Sequence, residues 1–96
     1  GKTAWKVSEK MAVLGKEHQL ICITHLPQIA AMADSHFMIE KSAKEGRSVT
    51  EIFELKKDNM IQEIARLLGG SEVTETVILS ARELKDLAIK TKARIN

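Results

Sequence analysis

A hydroxyl, an imidazole and a proline follow an apolar run, and these residues are the ones best placed to do chemistry. The run covers residues 20–23, and Thr24, His25 and Pro27 come directly after it. Its continuous, β-branched character predicts a fully buried strand. In open parallel α/β sheets, ligands bind at the carboxyl ends of the strands. His25 is therefore expected at a ligand site, where its imidazole can donate a hydrogen bond to an anion such as a terminal phosphate.

A purely structural role for His25 stays open beside this interpretation. Pro27 suits the first turn of a helix, and residues 28–33 continue it. A histidine directly before that helix can instead cap it or bond a neighbouring backbone carbonyl.

Other kinds of complete site find no support in the sequence. His18, His25 and His36 show no i,i+4 pairing and have no adjacent cysteine, so no metal site is predicted. The chain has no nucleophile elbow, no GxxxxGK[ST] phosphate loop and no GxGxxG motif. Taken alone, the chain is expected to hold no complete catalytic site.

Length and composition favour one small domain or a piece of a larger protein. The 96 residues are 44% hydrophobic and 29% charged, which is ordinary for a globular protein. The single Cys22 lies in the apolar run, so a reducing, cytoplasmic setting is expected. No apolar run approaches the ~18 residues that would span a membrane. The start at Gly1, without Met, fits either a tag remnant or a chain cut from a longer protein.

Charge and aromatic content argue against a nucleic-acid platform. The formal net charge is +2, and one Trp, two Phe and no Tyr leave little for stacking on bases. The basic residues Lys85, Lys90, Lys92 and Arg94 are interpreted as a solvated helix end whose cations favour the dipole of that helix. A DNA-binding patch is the alternative, and it predicts a steeply salt-dependent affinity for duplex DNA.

Hydrophobic periodicity predicts the elements around His25. Apolar residues three and four apart predict an amphipathic helix over residues 2–14, with Gly15 as its C-cap. That helix, the buried strand and the Pro27 helix form the pattern of a crossover unit on a parallel sheet. Strands over residues 36–41 and 48–56 are then expected, as a hairpin with a bulge or with a second strand buried on both faces.

The second half of the chain reads as a loop and two helices. Residues 42–47 are polar and contain a glycine, which suits the hairpin loop. Asp58 or Asn59 is expected to cap a helix that ends at the two glycines 69–70. Ser71 is expected to cap the last helix, whose residues beyond 89 fray.

Several runs of residues match one protein family. They are THLPQIAAMAD at 24–34, HF at 36–37, IEK at 39–41, EIARLLGG at 63–70, EVTET at 72–76 and AREL at 81–84. Together they resemble the C-terminal part of the RecN family of DNA repair proteins, which are similar to SMC proteins and have an ABC-type ATPase head. The pair THLPQ and ARLLGG is specific, because helix or strand periodicity demands neither.

This resemblance implies a fold and a function. The fold class is α/β, the C-terminal lobe of an ABC/SMC-type P-loop ATPase head, in the order helix, strand, helix, β-hairpin, helix, helix. Residues 1–96 form one fragment of that head, with the end of the D-loop, the H-loop, the hairpin and two C-terminal helices. The implied function is ATP hydrolysis in DNA double-strand break repair and recombination.

The same resemblance assigns site residues. His25 corresponds to the switch histidine of the H-loop, which contacts the γ-phosphate of ATP, and Gln28 is a further nucleotide-binding residue. Gly1, Lys2 and Thr3 resemble the end of the D-loop, at the interface between two heads. The Walker A loop, the signature motif and the Walker B acids are absent from these residues. ATP and Mg²⁺ are therefore expected only in the full-length protein, and neither binding nor hydrolysis is expected of the fragment alone.

The implied partners are the rest of the head in the same chain, a second head in a homodimer, and DNA. No membrane is expected, and the location is cytoplasmic and nucleoid-associated. The alternative function is a self-sufficient small α/β interaction module in which His25 has no catalytic role. In a fragment without its partner strands, an exposed apolar surface that promotes self-association is expected at Trp5, Met11 and Leu14.

Overall fold

The computed structural model describes residues 1–95, and Asn96 of the predicted tail lies outside the described residues. The described part is a mixed α/β domain of four helices and one two-stranded antiparallel hairpin. In chain order the elements are α1 (Lys2–Leu14), α2 (Pro27–Met32), β1 (Phe37–Lys44), β2 (Arg47–Glu54), α3 (Lys57–Gly69) and α4 (Glu75–Ile95).

The short helix α2 lies at the centre of the helical layer. It packs against α1, α3 and α4, while α3 and α4 pack against each other. The buried residues of this core are Ala30, Ala31, Met32, Ile64, Ala65, Ala81 and Ala88. Most of them are alanines, so the helix backbones approach closely and few large side chains fill the space between them.

The predicted strand over residues 20–23 is not formed. Residues 19–26 are irregular, and Ile21 and Ile23 are each 88% exposed. A parallel core strand needs a neighbouring strand to bond its backbone N–H and C=O groups. Within residues 1–95 the strands are the two of the hairpin, and they pair with each other. The predicted helix–strand–helix order is therefore wrong for the strand, and we call residues 20–23 the uncovered run.

Helix α1 has the predicted bounds and ends at the predicted Gly15, but only part of its apolar stripe is packed, since Val7 and Leu14 are about half exposed. Trp5 packs against the core, and Ser8 is fully buried, with its hydroxyl donating to the carbonyl of Trp5 (2.6 Å). This bond inside the helix makes the burial of a serine tolerable. Of the three residues predicted to form an exposed apolar surface, Leu14 is half exposed, whereas Trp5 and Met11 are partly buried.

The hairpin is longer and its loop tighter than predicted. The two strands pair in one continuous register that ends at Lys44 opposite Arg47. The loop is thus Glu45 and Gly46, at φ 51° and 75°, instead of the polar residues 42–47. Positive φ at both loop residues is the requirement of the type I′ turn, whose twist matches that of the flanking strands.

The hairpin projects away from the helices. The strand backbones do not approach the backbone of any described helix closely, although strand side chains line a groove with α3. At the base of the hairpin the backbone N–H of Leu55 donates to the carbonyl of His36 (2.8 Å). Phe37, Ile39 and Ile52 share one face and are all more than half exposed. The second strand is therefore neither bulged nor buried on both faces.

Helix α3 begins before either of the two caps that were predicted. Lys56 is its N-cap and supplies no side-chain hydrogen bond, so Asp58 lies inside the first turn. A carboxylate there is favourable for the helix dipole. The helix ends at the two glycines as predicted, and Gly70 takes a φ of 67°, which a residue with a Cβ rarely adopts.

Helix α4 differs from the prediction at both ends. The hydroxyl of Thr74 accepts a hydrogen bond from the N–H of Val77 (3.2 Å), so Thr74 and not Ser71 caps the helix. The helix continues to Ile95 where fraying was expected. This end of the helix is packed, since Thr91 is only 2% exposed, and its hydroxyl donates to the carbonyl of Leu87 (2.7 Å).

Candidate functional site

His25 lies in the turn between the uncovered run and α2. The backbone N–H of Leu26 donates to the hydroxyl of Thr24 (3.0 Å), and this bond shapes the turn before Pro27 opens the helix. The imidazole of His25 is exposed and has no hydrogen-bond partner among residues 1–95. The structure therefore contradicts the alternative in which this histidine caps α2 or bonds a backbone carbonyl. Thr24 has the local structural role.

The other predicted site residues lie at the beginnings of two packed helices. Gln28 is half-buried in the first turn of α2, whereas Gly1, Lys2 and Thr3 are exposed at the start of α1. Helices α1 and α2 pack against each other, but no hydrogen bond in the described part of the chain joins His25 to these residues.

Two lysines of α4, which we call the lysine pair, hold the other end of α2. Lys85 Nζ donates to the carbonyls of Ala31 (2.9 Å) and Ala33 (3.1 Å). Lys92 Nζ donates to the carbonyl of Ala33 (3.4 Å) and forms an ion pair with Asp34 Oδ1 (2.9 Å). The last carbonyls of a helix have no partner within it, and cations are favourable at that end. The lysine pair therefore caps α2 from a different helix.

The role of the lysine pair corrects the interpretation of the basic residues in the sequence. The sequence pattern places these lysines in a solvated helix end whose cations favour the dipole of α4. Lys90 is exposed, as that interpretation requires, but Lys85 and Lys92 are partly buried and contact α2 instead. A sequence signal for this role was present. Each member of the pair follows a buried alanine, Ala81 or Ala88, by four residues, which places both lysines beside the packed stripe of α4.

The electrostatics of the lysine pair reflect its position between helices. Burial lowers the pKa of Lys85 below the ordinary lysine value, the positive charge of Lys92 lowers it further, and the carboxylate of Asp34 opposes both. The two carbonyls that accept from Lys85 replace part of the hydration that its ammonium loses.

A second buried titratable group lies at the base of the hairpin. His36 Nδ1 is buried and has no hydrogen-bond partner within the described residues. Burial lowers the pKa of His36, the negative charge of Glu63 opposes this shift, and the positive charge of Lys85 adds to it. Glu63 is only 7% exposed and is itself paired with Arg66. The fold therefore favours the neutral imidazole at this position.

Acidification is expected to destabilise the fold through His36. The pKa of His36 in the folded state lies below the ordinary value of 6.5, so the unfolded chain binds the proton more tightly. The stability that depends on a neutral His36 is fully present above pH 6.5. It is lost as the pH falls from there through the pKa of His36 in the folded state. Urea unfolding followed by circular dichroism between pH 5 and 8 measures this, and His36→Gln is expected to flatten the profile.

The control for this prediction is His18→Gln, a change at an exposed histidine just beyond α1. Its profile is expected to run parallel to that of the unmodified chain. A parallel profile for His36→Gln would show that His36 contributes nothing to the pH dependence.

A groove of about 660 Å³ lies between the hairpin and α3 and is separate from His25. Its lining includes Met38, Phe53, Leu55, Gln62, Glu63 and Arg66. None of the residues predicted to bind nucleotide is among them. Within residues 1–95, no three His, Cys, Asp or Glu side chains lie close enough together to hold a metal ion. Among the described helices, none is both long and apolar enough to cross a membrane.

Sequence comparison relates this chain to bacterial DNA repair proteins. It is 44% identical over 92 residues to the DNA repair protein RecN of Halalkalibacterium halodurans and 41% identical over 92 residues to that of Bacillus subtilis, covering 96% of this chain in both cases. It is 39% identical over 84 residues to RecN of Vibrio cholerae, covering 88% of this chain. No protein-family model matches the chain.

The match is confined to one part of each relative. The chain spans 16% of the length of the first two relatives and 15% of the third, and the matched part is C-terminal. The resemblance seen in THLPQ and ARLLGG therefore extends over nearly all of this chain. The chain belongs to the RecN family of DNA repair proteins, as a homologue of their C-terminal part.

Proposed function

We propose that this chain is the C-terminal lobe of an ABC/SMC-type ATPase head that acts in DNA double-strand break repair and recombination. In this proposal His25 is the H-loop histidine, which contacts the terminal phosphate of ATP. The observation that carries the proposal is the uncovered run, which ends at an imidazole with no partner in the described chain. The name of the RecN relatives, DNA repair protein, supports the cellular role.

The exposure of the uncovered run favours the proposal that the full-length protein has a larger sheet. Burying an isoleucine side chain contributes roughly 1.5–3 kcal/mol, and this run leaves Ile21 and Ile23 almost fully in solvent. Strands from the rest of the head would bury these side chains and bond the backbone of residues 20–23. The same contact would fix His25 at the carboxyl end of a strand, which is where ligands bind in such sheets.

The chemistry of His25 fits one part of a phosphate site. When bound, ATP and Mg²⁺ supply the phosphoryl group and neutralise its charge. The exposed imidazole of His25 can donate an N–H hydrogen bond to an oxygen of the terminal phosphate, because nothing in the described chain competes for it. Gln28, in the first turn of α2, offers a second polar contact. The Walker A loop and the Walker B acids would come from other parts of the protein.

The partners in this proposal are the rest of the head, a second head in a homodimer, and DNA. Gly1, Lys2 and Thr3 are exposed at the start of α1, as residues of an interface between two heads must be before the heads meet. Helix α1 packs against α2, so this interface and His25 belong to neighbouring elements.

His25→Ala in the full-length protein tests the proposal. A charge-assisted hydrogen bond contributes roughly 1.5–3 kcal/mol. Losing it is expected to lower kcat for ATP hydrolysis by about one to two orders of magnitude. The Kd for nucleotide is expected to change little, because the other parts of the site hold the rest of the ligand. The 96-residue chain alone is expected to hydrolyse no ATP.

The matched control is His18→Ala, which removes another exposed imidazole and is expected to leave hydrolysis at the level of the unmodified protein. Unchanged hydrolysis in His25→Ala would remove His25 from the site.

A further inference from the structure

We infer that Lys85 and Lys92 are positioning residues for His25, because they fix the far end of the helix that begins two residues after it. This inference rests on the proposed function, in which His25 contacts the terminal phosphate. Neither lysine touches nucleotide in this arrangement. Both act through α2, and α4 thereby becomes part of what sets the geometry of the phosphate site.

Helix α2 cannot hold its own position. It has six residues, and helices shorter than roughly 12 residues are marginal in water without tertiary contacts. No side-chain cap closes its N-terminal end, where Leu26 is the N-cap residue. Its place in the fold therefore depends on the burial of Ala30, Ala31 and Met32 and on whatever holds its C-terminal end.

The lysine pair holds that end from two directions. Three Nζ–carbonyl bonds converge on Ala31 and Ala33, and Ala33 accepts from both lysines. The ion pair of Lys92 with Asp34 ties down the next residue of the chain as well. Lys92 retains only 20% side-chain exposure although it carries a charge, so its ammonium is directed inward to these acceptors.

The lysines are fixed because α4 is fixed. Ala81 and Ala88 are fully buried, and Thr91, directly before Lys92, is 2% exposed. The two lysines lie seven residues apart on this anchored stripe, which is two helical turns or about 10.5 Å along the axis. From these two turns their Nζ atoms converge on the carbonyl of Ala33, so the end of α2 is held from two positions along α4.

A shift at the C-terminal end of α2 is passed to His25. The six residues of α2 span about 9 Å. The N–H groups of Ile29 and Ala30 donate to the carbonyl of Leu26 (3.2 and 3.1 Å), which joins the first turn of the helix to the residue after His25. One residue, Leu26, lies between His25 and this helix, and the bond from the N–H of Leu26 to the Thr24 hydroxyl closes the short turn that contains His25. The lysine pair therefore sets the position of the imidazole without contacting it.

Lys85→Met in the full-length protein tests this inference. Methionine keeps an unbranched apolar stem and removes the ammonium donors. Misplacing a contact group by about 1 Å can cost up to 10²-fold in rate, and we expect kcat for ATP hydrolysis to fall by about threefold to tenfold. The KM for ATP and the Kd for nucleotide are expected to stay within about twofold, because His25 is one contact among several. Lys85→Arg keeps donors at this position and is expected to restore most of the rate.

The decisive measurement combines this change with His25→Ala. If Lys85 acts through His25, the double variant has the kcat of His25→Ala alone, because nothing remains to be positioned. A double variant whose losses multiply would overturn the inference. Lys90→Met, an exposed lysine of the same helix, is the matched control and is expected to keep the unmodified rate.

The two proposals fail in different ways. A normal rate in His25→Ala overturns the proposed function and the inference with it. A lowered rate in His25→Ala together with a normal rate in Lys85→Met overturns the inference alone. Thermal unfolding by circular dichroism checks that each variant folds. If Lys85→Met does not fold, Lys92→Met replaces it in the same double variant, since its bond to the Ala33 carbonyl is the longer one (3.4 Å).

Discussion

Ile64→Ala is expected to lower the free energy of unfolding of the 96-residue chain by about 4 kcal/mol, near the upper end of the range for such changes. Ile64 is fully buried and is the largest of the fully buried side chains in the described part of the molecule. Its neighbours in the core include Ala65, Ala81 and Ala88, whose short side chains cannot extend into the cavity that the change would leave. The whole domain is stable by roughly 5–14 kcal/mol for its length, so the variant would lose a large share.

Urea unfolding followed by circular dichroism measures this change. Leu79→Ala is the matched control, because Leu79 is a large apolar residue of α4 that is 60% exposed. Its effect is expected to stay within about 0.5 kcal/mol. Equal effects for the two variants would show that the contacts of Ile64 do not hold the helices together.

Ile21→Asp is expected to change stability little in the isolated chain and to destabilise the full-length protein. In the isolated chain the residue is 88% exposed, and a surface change of this kind shifts stability by about 0.5 kcal/mol or less. In the proposed head the same residue lies in a buried strand. Burying a carboxylate there without a partner is expected to cost more than about 3 kcal/mol.

Thermal unfolding of both proteins separates these outcomes. His18→Asp introduces the same charge at an exposed position of the preceding link and is expected to be silent in both. A silent Ile21→Asp in the full-length protein would show that the run stays in solvent there. The proposal of a larger sheet over residues 20–23 would then fail, whatever the role of His25.

Elements with local signals were predicted well. Pro27 begins α2 because its ring presets the first helical φ and no donor is lost there. The two glycines after α3 end it because Gly70 takes a positive φ. The hairpin was predicted from its two runs and the glycine between them. The predicted loop was too long because Glu45 forms half of the turn, and glutamate rarely adopts a positive φ.

The remaining features depend on contacts far away in the sequence. The apolar run ending at Ile23 has the composition of a strand, but strand formation needs a partner that residues 1–95 do not provide. Ser71 was predicted as the cap of α4 and Thr74 is the cap found, because both residues have the same capping chemistry and the position of the helix start decides between them. Periodicity placed Lys85 near the packed face of α4 but could not show which carbonyls of another helix it would meet.

The separation of the hairpin from the helices divides the stability of this molecule into two unequal parts. Within the described chain the backbones of the strands do not approach those of α3 or α4 closely, and an open groove lies between the hairpin and α3. A two-stranded hairpin alone is at best marginally stable in water, so its amide protons exchange with solvent through local opening. The amides at the centre of α4 exchange only when the whole bundle opens. The hairpin amides are therefore expected to be less protected than those at the centre of α4, and they gain protection when another strand or chain covers the hairpin.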